Sequence, residues 1–377
     1  MVKIPSSKSY TQRALICASL SQGESFIICD NFCDDVMAVA GCLNTLGAKI
    51  EKRENGFAVK GINFTKSKGK YIENALNFQS SGAAYRFILP VIGLLGLSAE
   101  YEMSSQLEGR PNEIYHRLLS SHGMKIGEKE ISGKLKSGNF ELPGNVSSQY
   151  VSGLLMALPL LEGESEIVLT TPLQSAPYVR MTAEVMNSFG VEVKQTENGY
   201  FIKGNCEYKP CEFEVEGDWS AGAYFICAGK EVTGLNENSL QGDKVITELL
   251  NENEINAGNI PDLVLPLTAY ALTRPGTTKI YNASRLRYKE TNRLETLCKA
   301  LSAIGGDITV KDDGLLIKGK EMLDGGEADS CNDHRIAMAL ALASLKCKNP
   351  VTILNSDCVS KSFPSFFEKF EGNYIIR

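Results

Sequence analysis

The stretch Glu197-Asn198-Gly199-Tyr200-Phe201-Ile202-Lys203-Gly204 has two close copies elsewhere in the chain. They are Glu54-Asn55-Gly56-Phe57-Ala58-Val59-Lys60-Gly61 and Asp312-Asp313-Gly314-Leu315-Leu316-Ile317-Lys318-Gly319. Asn-Gly and Asp-Gly are the preferred pairs of the tight type I′ turn, so each copy predicts a hairpin. Upstream of each, a glycine closes an amphipathic stretch, in Leu46-Gly47-Ala48-Lys49-Ile50, Phe189-Gly190-Val191-Glu192-Val193 and Ile304-Gly305-Gly306-Asp307-Ile308; a fourth such junction is His122-Gly123-Met124-Lys125-Ile126. A glycine there caps a helix in the left-handed region, and the alternation after it is a strand. The unit is therefore helix, glycine, strand, turn, strand, recurring at about 60 to 75 residues, so the chain holds about six. Six units too small to fold alone imply an α/β protein of two pseudo-symmetric domains, about three units each.

The length agrees: 377 residues exceed what a single core usually encloses, and two domains suggest a cleft between them. With 43% hydrophobic and 22% charged residues the chain is neither disordered nor fibrous. A net charge of −6 gives no global basic field, so neither nucleic acid nor a membrane is expected as partner. The 11 cysteines contain no CxxC pair and read as reduced thiols of a cytosolic protein. Met1-Val2-Lys3-Ile4-Pro5 does not begin a secretory pattern, and the longest apolar run, from Phe87 to Leu97, is broken by Pro90. A soluble, cytoplasmic protein is expected. Helices are expected over 11–20, 33–46, 81–96, 111–121, 148–161, 177–189, 219–228, 242–250, 261–273, 288–304 and 333–345.

Several chemistries lack their residues. There is no HExxH, no GxSxG elbow and no strand-borne GxGxxG, and the Gly314-x4-Gly319-Lys320 match to a P-loop lacks the following Ser/Thr. Only His116, His122 and His334 are present, which supports neither a metal centre nor a Ser-His-Asp triad, so no metal and no cofactor is expected. What remains is a set of charged and hydroxyl residues at helix starts. Lys8-Ser9-Tyr10-Thr11-Gln12-Arg13 places Ser9 and Arg13 on one face. Ser81-Gly82-Ala83-Ala84-Tyr85-Arg86 puts a cation into the most apolar helix, where it is either paired by a carboxylate or reserved for an anionic ligand. Arg110-Pro111, Ser147-Ser148-Gln149-Tyr150, Pro261-Asp262, Arg287-Tyr288-Lys289-Glu290-Thr291-Asn292-Arg293, His334-Arg335 and Lys361-Ser362-Phe363-Pro364 complete the set. Singly, each also reads as a cap or a surface ion pair. Together, Arg86, Arg110, Arg293, Arg335 and Lys361 with the carboxylates Asp262 and Glu290 suit substrates that carry phosphates and carboxylates, and proton transfer between them.

In order, Ser7-Lys8-Ser9-x3-Arg13, Ser81-Gly82-x3-Arg86, Arg110-Pro111, Ser147-Ser148-Gln149, Ser175-x-Pro177-Tyr178, Glu216-Gly217-Asp218, Pro261-Asp262, Arg287-x-Lys289-Glu290-Thr291-x-Arg293, Asp333-His334-Arg335-x-Ala337-Met338 and Lys361-Ser362-Phe363-Pro364 resemble the 5-enolpyruvylshikimate-3-phosphate synthase family from end to end. The resemblance implies the enolpyruvyl transferase fold, an inside-out α/β barrel: two pseudo-threefold domains, each of three βαβαββ units, over 7–215 and over 1–6 plus 216–377, with the active site in the cleft between them. It implies a monomer that transfers the enolpyruvyl group of phosphoenolpyruvate to the 5-hydroxyl of shikimate 3-phosphate, through a tetrahedral adduct that eliminates phosphate. Shikimate 3-phosphate would be held by Lys8, Ser9, Arg13, Ser147, Ser148, Gln149, Ser175, Tyr178, Asp262 and Lys289. Phosphoenolpyruvate would sit among Lys8, Gly82, Arg86, Arg110, Gln149, Arg293, Arg335 and Lys361. Asp262 would face the hydroxyl and Glu290 the methylene carbon, with Lys8 shuttling a proton or neutralising the leaving phosphate.

Three features depart from the family. Its Gly-Asn-(Ala/Ser)-Gly-Thr segment reads Gln79-Ser80-Ser81-Gly82-Ala83 here, which removes an amide and a hydroxyl beside the phosphoenolpyruvate site and puts affinity and glyphosate inhibition in question. The chain begins later than is usual, which puts the first strand of the family in question. Arg285 and Leu286 stand where other shikimate-side contacts are frequent. The alternatives are the sister transferase acting on UDP-N-acetylglucosamine and a non-catalytic phosphosugar-binding descendant. Against the first, Lys8 is followed by Ser9 rather than asparagine, and no cysteine follows Arg86 in the loop where that enzyme carries its proton donor. Against the second, Asp262 and Glu290 are both present.

Overall fold

In a computed structural model describing Met1–Arg377, each repeated tail forms an antiparallel hairpin: Lys49–Arg53 with Gly56–Lys60, Lys194–Thr196 with Gly199–Ile202, and Asp307–Lys311 with Gly314–Lys318. The loop pairs are Glu54-Asn55, Glu197-Asn198 and Asp312-Asp313, and none of these residues has a positive φ, so the turns are not type I′. The glycine after each pair is instead the first strand residue. A Cβ on Gly56, Gly199 or Gly314 would stand 2.0, 1.8 or 1.9 Å from the carbonyl oxygen of Ile27, Ile167 or Ile280. The closing glycines Gly61, Gly204 and Gly319 are as tightly approached, at 1.7, 1.8 and 1.6 Å from the carbonyl oxygens of Ser21, Gly163 and Arg274. Both glycines of the repeat are therefore places where neighbouring backbone leaves no room for a side chain.

Every hairpin is half of a four-stranded sheet. The orders are Glu212–Glu214, Glu24–Ile28, Gly56–Lys60, Lys49–Arg53; then Tyr71–Asn77, Ser98–Glu102, Glu130–Gly133, Met124–Ile126; and Asn139–Leu142, Ser165–Leu169, Gly199–Ile202, Lys194–Thr196. In each the first pair is parallel and the others antiparallel. A parallel pair needs a crossover, which Gly82–Leu95 and Ser148–Ala157 supply in the second and third sheets. The first sheet gets its outer strand from the far end of the unit, at Glu212–Glu214. These three sheets belong to one compact unit, Ser6–Val215; Met1–Pro5 and Glu216–Arg377 form the other.

The second unit repeats the pattern once in full, as Glu254–Asn256, Thr277–Tyr281, Gly314–Lys318, Asp307–Lys311. It adds an all-parallel sheet of Gly326–Asp329, Val351–Leu354 and Tyr374–Ile376, and a two-stranded one in which Val2–Lys3 pairs with Val232–Thr233. The N-terminal contribution to this unit is a strand of only two residues. At the first crossing the division falls one residue earlier than expected, because Ser6 is tied to Asp30 by backbone and side-chain hydrogen bonds of 2.8 and 2.9 Å.

Within each unit the most apolar helices lie inside and the sheets outside, the arrangement of an inside-out α/β barrel. All of Gly82–Leu95 and His334–Ser344 is buried, as is Lys8–Leu20 apart from Lys8 and Ser9, and Ser148–Ala157 apart from Gln149. A helix apolar on every side belongs in a core, and the polar exceptions sit at its first turn. Four expected helices are shorter: 242–250 is a 3-10 turn, Gly242–Val245, and a short helix, Ile246–Leu249; 148–161 ends and 261–273 begins in a 3-10 turn, Leu158–Leu160 and Pro261–Leu263; and 288–304 starts only at Arg293, after a 3-10 turn over Ser284–Tyr288, because the Asn292 side chain caps it by accepting from the Glu295 N–H. No helix is long and apolar enough to cross a membrane, and all the cysteines are free.

Candidate active site

The candidate residues reach their places through one repeated local device. At the end of the first strand of a sheet an Asn or Asp side chain accepts the N–H two residues on: Asn77 from Gln79 (2.9 Å), Asn256 from Gly258 (2.9 Å), Asp329 from Cys331 (2.7 Å). This Asx turn swings the chain from strand to helix. Gln79 and Cys331 accordingly adopt left-handed φ values of 51° and 52°. After the turns at Asn77 and Asp329 the next helix is capped by Ser81 or Asp333, whose side chains accept from the N–H of Ala84 and Arg335; Ser147 and Asp218 cap Ser148–Ala157 and Trp219–Cys227 in the same way, accepting from Gln149 and Ser220. Each such end carries a partial positive charge and N–H groups suited to anions.

In the unit Ser6–Val215, Arg86 and Arg110 converge on Gly82. Their Nη1 atoms lie 3.4 and 2.7 Å from the point where a Gly82 Cβ would stand, so glycine is what lets two guanidinium groups approach the start of the Gly82–Leu95 helix. Arg86 donates from Nε to Asn112 Oδ1 (3.0 Å) and from Nη1 to Gln149 Oε1 (2.7 Å), over the Tyr150 ring. Lys8 pairs with Asp35 at 2.9 Å. Ser147 and Ser148 open the next helix, and Ser175, at φ 55°, turns the chain into Ala176–Ser188.

Arg13 is engaged by its own protein. It donates to Thr182 Oγ1 (2.7 Å), Ser9 O (2.7 Å) and Tyr178 O (3.2 Å), and its guanidinium stands over the rings of Phe87 and Tyr178. Burial pulls its pKa down to about 10. It ties together the helices that carry Ser9 and Tyr178.

In the other unit, Arg293 is the hub. Its Nε and Nη2 bond the two oxygens of Asp333 (2.8 and 3.2 Å), Nη1 reaches Asp262 (3.2 Å) and Nη2 reaches Glu290 (2.6 Å). Arg335 holds the second oxygen of Asp262 at 3.1 Å and Ser220 Oγ at 3.0 Å. Arg293 and Asp333 are almost fully buried; burial alone would lower the arginine pKa, but the three carboxylates hold it above its usual value. Lys289 is half-buried. Burial, with Arg285 and Arg293 nearby, pulls its ammonium down to about 7 against the opposing pull of Asp262 and Glu290. Lys361 is buried at the end of the 3-10 turn Ser356–Lys361, which packs on the Arg335 helix.

The structure thus groups Gly82, Arg86, Arg110 and Gln149 in one unit, and Asp262, Glu290, Arg293 and Arg335 in the other. Sequence reasoning missed Asp35, Asn112 and Ser220 and left Asp333 without a role, since none of their partners is near in sequence except those of Asp333 and Ser220 at their own helix starts.

Each unit thus presents cations at or near helix N-termini, and the second adds the carboxylates Asp262, Glu290 and Asp333, a set of groups suited to small, multiply charged anions on an α/β repeat scaffold. The sequence profile described as EPSP synthase (3-phosphoshikimate 1-carboxyvinyltransferase) matches residues 1–254 and 229–370. The chain is 41% identical to 3-phosphoshikimate 1-carboxyvinyltransferase of Clostridium kluyveri, over 98% of this chain and 94% of that one. It is 39% identical to the same-named protein of Clostridium acetobutylicum, over 97% and 93%. A solved structure of EPSP synthase from Acinetobacter baumannii superposes with a TM-score of 0.79 at 23% identity, covering 97% of this chain and 93% of that one, a likeness of fold. The chain belongs to the EPSP synthase family.

Proposed function

We propose that the two clusters serve the reaction that names the family: the protein transfers the enolpyruvyl group of phosphoenolpyruvate to shikimate 3-phosphate, releasing phosphate, in the shikimate pathway to aromatic amino acids. The observation that carries the assignment of residues is Asp262, whose two carboxylate oxygens are held by Arg293 and Arg335. A carboxylate so paired is a weak base. The carboxylate and phosphate of phosphoenolpyruvate compete for the same guanidinium groups, and as they draw them off, Asp262 becomes basic enough to take the proton of the 5-hydroxyl. The freed oxygen bonds to C2 while Glu290, able to hold a proton once the substrate anions have drawn Arg293 away from it, gives that proton to C3. In the second half C3 returns a proton to Glu290, the C2–O bond to phosphate breaks, and the proton held by Asp262 passes to the released phosphate, which restores the base. Lys8 neutralises the departing phosphate.

Arg86, Arg110 and Gly82, with Gln149 and Lys361, complete the phosphoenolpyruvate contacts. Ser9, Ser147, Ser148, Ser175, Tyr178 and Lys289 take the shikimate phosphate and hydroxyls, and Arg13 sets the positions of Ser9 and Tyr178. The free cysteines suit a reducing compartment, and the protein is read as a cytoplasmic monomer. Purified protein is expected to release phosphate from phosphoenolpyruvate only when shikimate 3-phosphate is present. Release with UDP-N-acetylglucosamine alone assigns it to the sister reaction, and release with neither acceptor overturns both.

Lys289 supplies a pH signature. Its folded pKa of about 7 lies below the ordinary value of about 10.4. Between those values the unfolded state binds the proton and the folded state does not, so this group makes stability rise with pH across that window. A substrate phosphate beside it favours the ammonium. Binding of shikimate 3-phosphate at pH 8 is therefore expected to take up close to one proton, read by calorimetry in buffers of different ionisation enthalpy. Lys289→Met should abolish that uptake; equal uptake in the variant contradicts the assignment.

A further inference from the structure

Asn112 stands in the position before the helix Glu113–Ser121, where asparagine ordinarily caps by accepting a backbone N–H. Here its side chain makes no cap bond. Its Oδ1 instead accepts from Arg86 Nε at 3.0 Å, with the residue 6% exposed. A good capping group has been diverted to a guanidinium from another helix. Two contacts, Asn112 on Nε and Gln149 on Nη1, fix the plane of Arg86, while the Tyr150 ring stands 5.4 Å from its centre. The loop that carries Asn112 is itself pinned: Tyr150 donates its hydroxyl to the Pro111 carbonyl, and Tyr115 stacks on Tyr150 while donating to the Arg86 carbonyl. The same loop, residues 109–112, presents Arg110 to Gly82.

We infer that Asn112 is a positioning residue for phosphoenolpyruvate binding: it holds the Arg86 guanidinium in the plane in which that group, beside Arg110 and Gly82, meets the carboxylate or phosphate of the substrate. The inference rests on Arg86 being a phosphoenolpyruvate contact, as proposed above. A fixed plane matters because guanidinium recognises oxyanions through paired, directional N–H bonds.

The test is steady-state kinetics of Asn112→Leu, Arg86→Lys and the double variant. Asn112→Leu is expected to raise KM for phosphoenolpyruvate about tenfold, the equivalent of one hydrogen bond to a charged group. KM for shikimate 3-phosphate should stay within about twofold, and the further loss on adding Asn112→Leu to Arg86→Lys should be small, since the coupled partner is already gone. Asn112→Asp, close in shape, covers the case in which Asn112→Leu does not fold; its carboxylate pairs with Arg86 and also raises KM for phosphoenolpyruvate. An unchanged KM in whichever Asn112 variant folds, or an equal rise with and without Arg86, overturns the inference. An unchanged KM in Arg86→Lys overturns the assignment of Arg86 beneath it.

Discussion

Asp262→Asn is expected to lower kcat by roughly a thousandfold, the usual contribution of a positioned general base, while binding of shikimate 3-phosphate survives. The amide keeps the shape and can still accept from one guanidinium, but it cannot take the hydroxyl proton. It also removes one of the three carboxylates around Arg293, so the variant should fold with Asp333 and Glu290 still in place. Phosphate release at saturating substrates reads the rate, and calorimetry reads binding. A loss below about tenfold would remove Asp262 from the proton path.

Asp333→Ala is expected to be the most destabilising substitution of the site. It leaves the Arg293 guanidinium buried without its bidentate partner, which costs about 3 to 5 kcal/mol. It also removes the cap of the helix His334–Ser344, where Asp333 accepts from the Arg335 N–H at 3.1 Å, about 1 kcal/mol more. Asp333→Asn keeps an acceptor for the cap and for one guanidinium nitrogen and should lose markedly less. The single tryptophan of the chain, Trp219, lies in the same unit as Asp333, so its fluorescence during urea unfolding reports on the unit that changes. A shift for Asp333→Ala within about 1 kcal/mol of wild type would show that Arg293 finds other partners.

The repeat was legible because its glycines recur in sequence, but their physical role was not. Turn statistics assign Gly56, Gly199 and Gly314 to a turn, whereas the constraint is a carbonyl oxygen of another strand, Ile27, Ile167 or Ile280, that no local reading can see. Helix existence followed from apolar runs, as for Gly82–Leu95, while the start at Arg293 was set by the Asn292 cap and not by periodicity. The charged residues of the site were visible as a set at helix starts, with Arg86 a cation in the most apolar helix. Their partners were less so: Asp35 reaches Lys8 across 27 residues and Asn112 reaches Arg86 across 26, through tertiary contacts alone. Asp333 sat inside a quoted motif, yet its bond to Arg293, 40 residues away, gives it a role that the motif does not express.

The most direct measurement is a crystal structure of Glu290→Gln, a variant expected to stall addition for want of its proton donor, with phosphoenolpyruvate and shikimate 3-phosphate bound. The expected result has the phosphoenolpyruvate anions on Arg86, Arg110, Arg293 and Arg335, with an oxygen of Asp262 released from Arg335 and facing the 5-hydroxyl. Phosphoenolpyruvate bound away from these arginines, or Asp262 still clasped by both Arg293 and Arg335 with the substrates in place, would contradict the account.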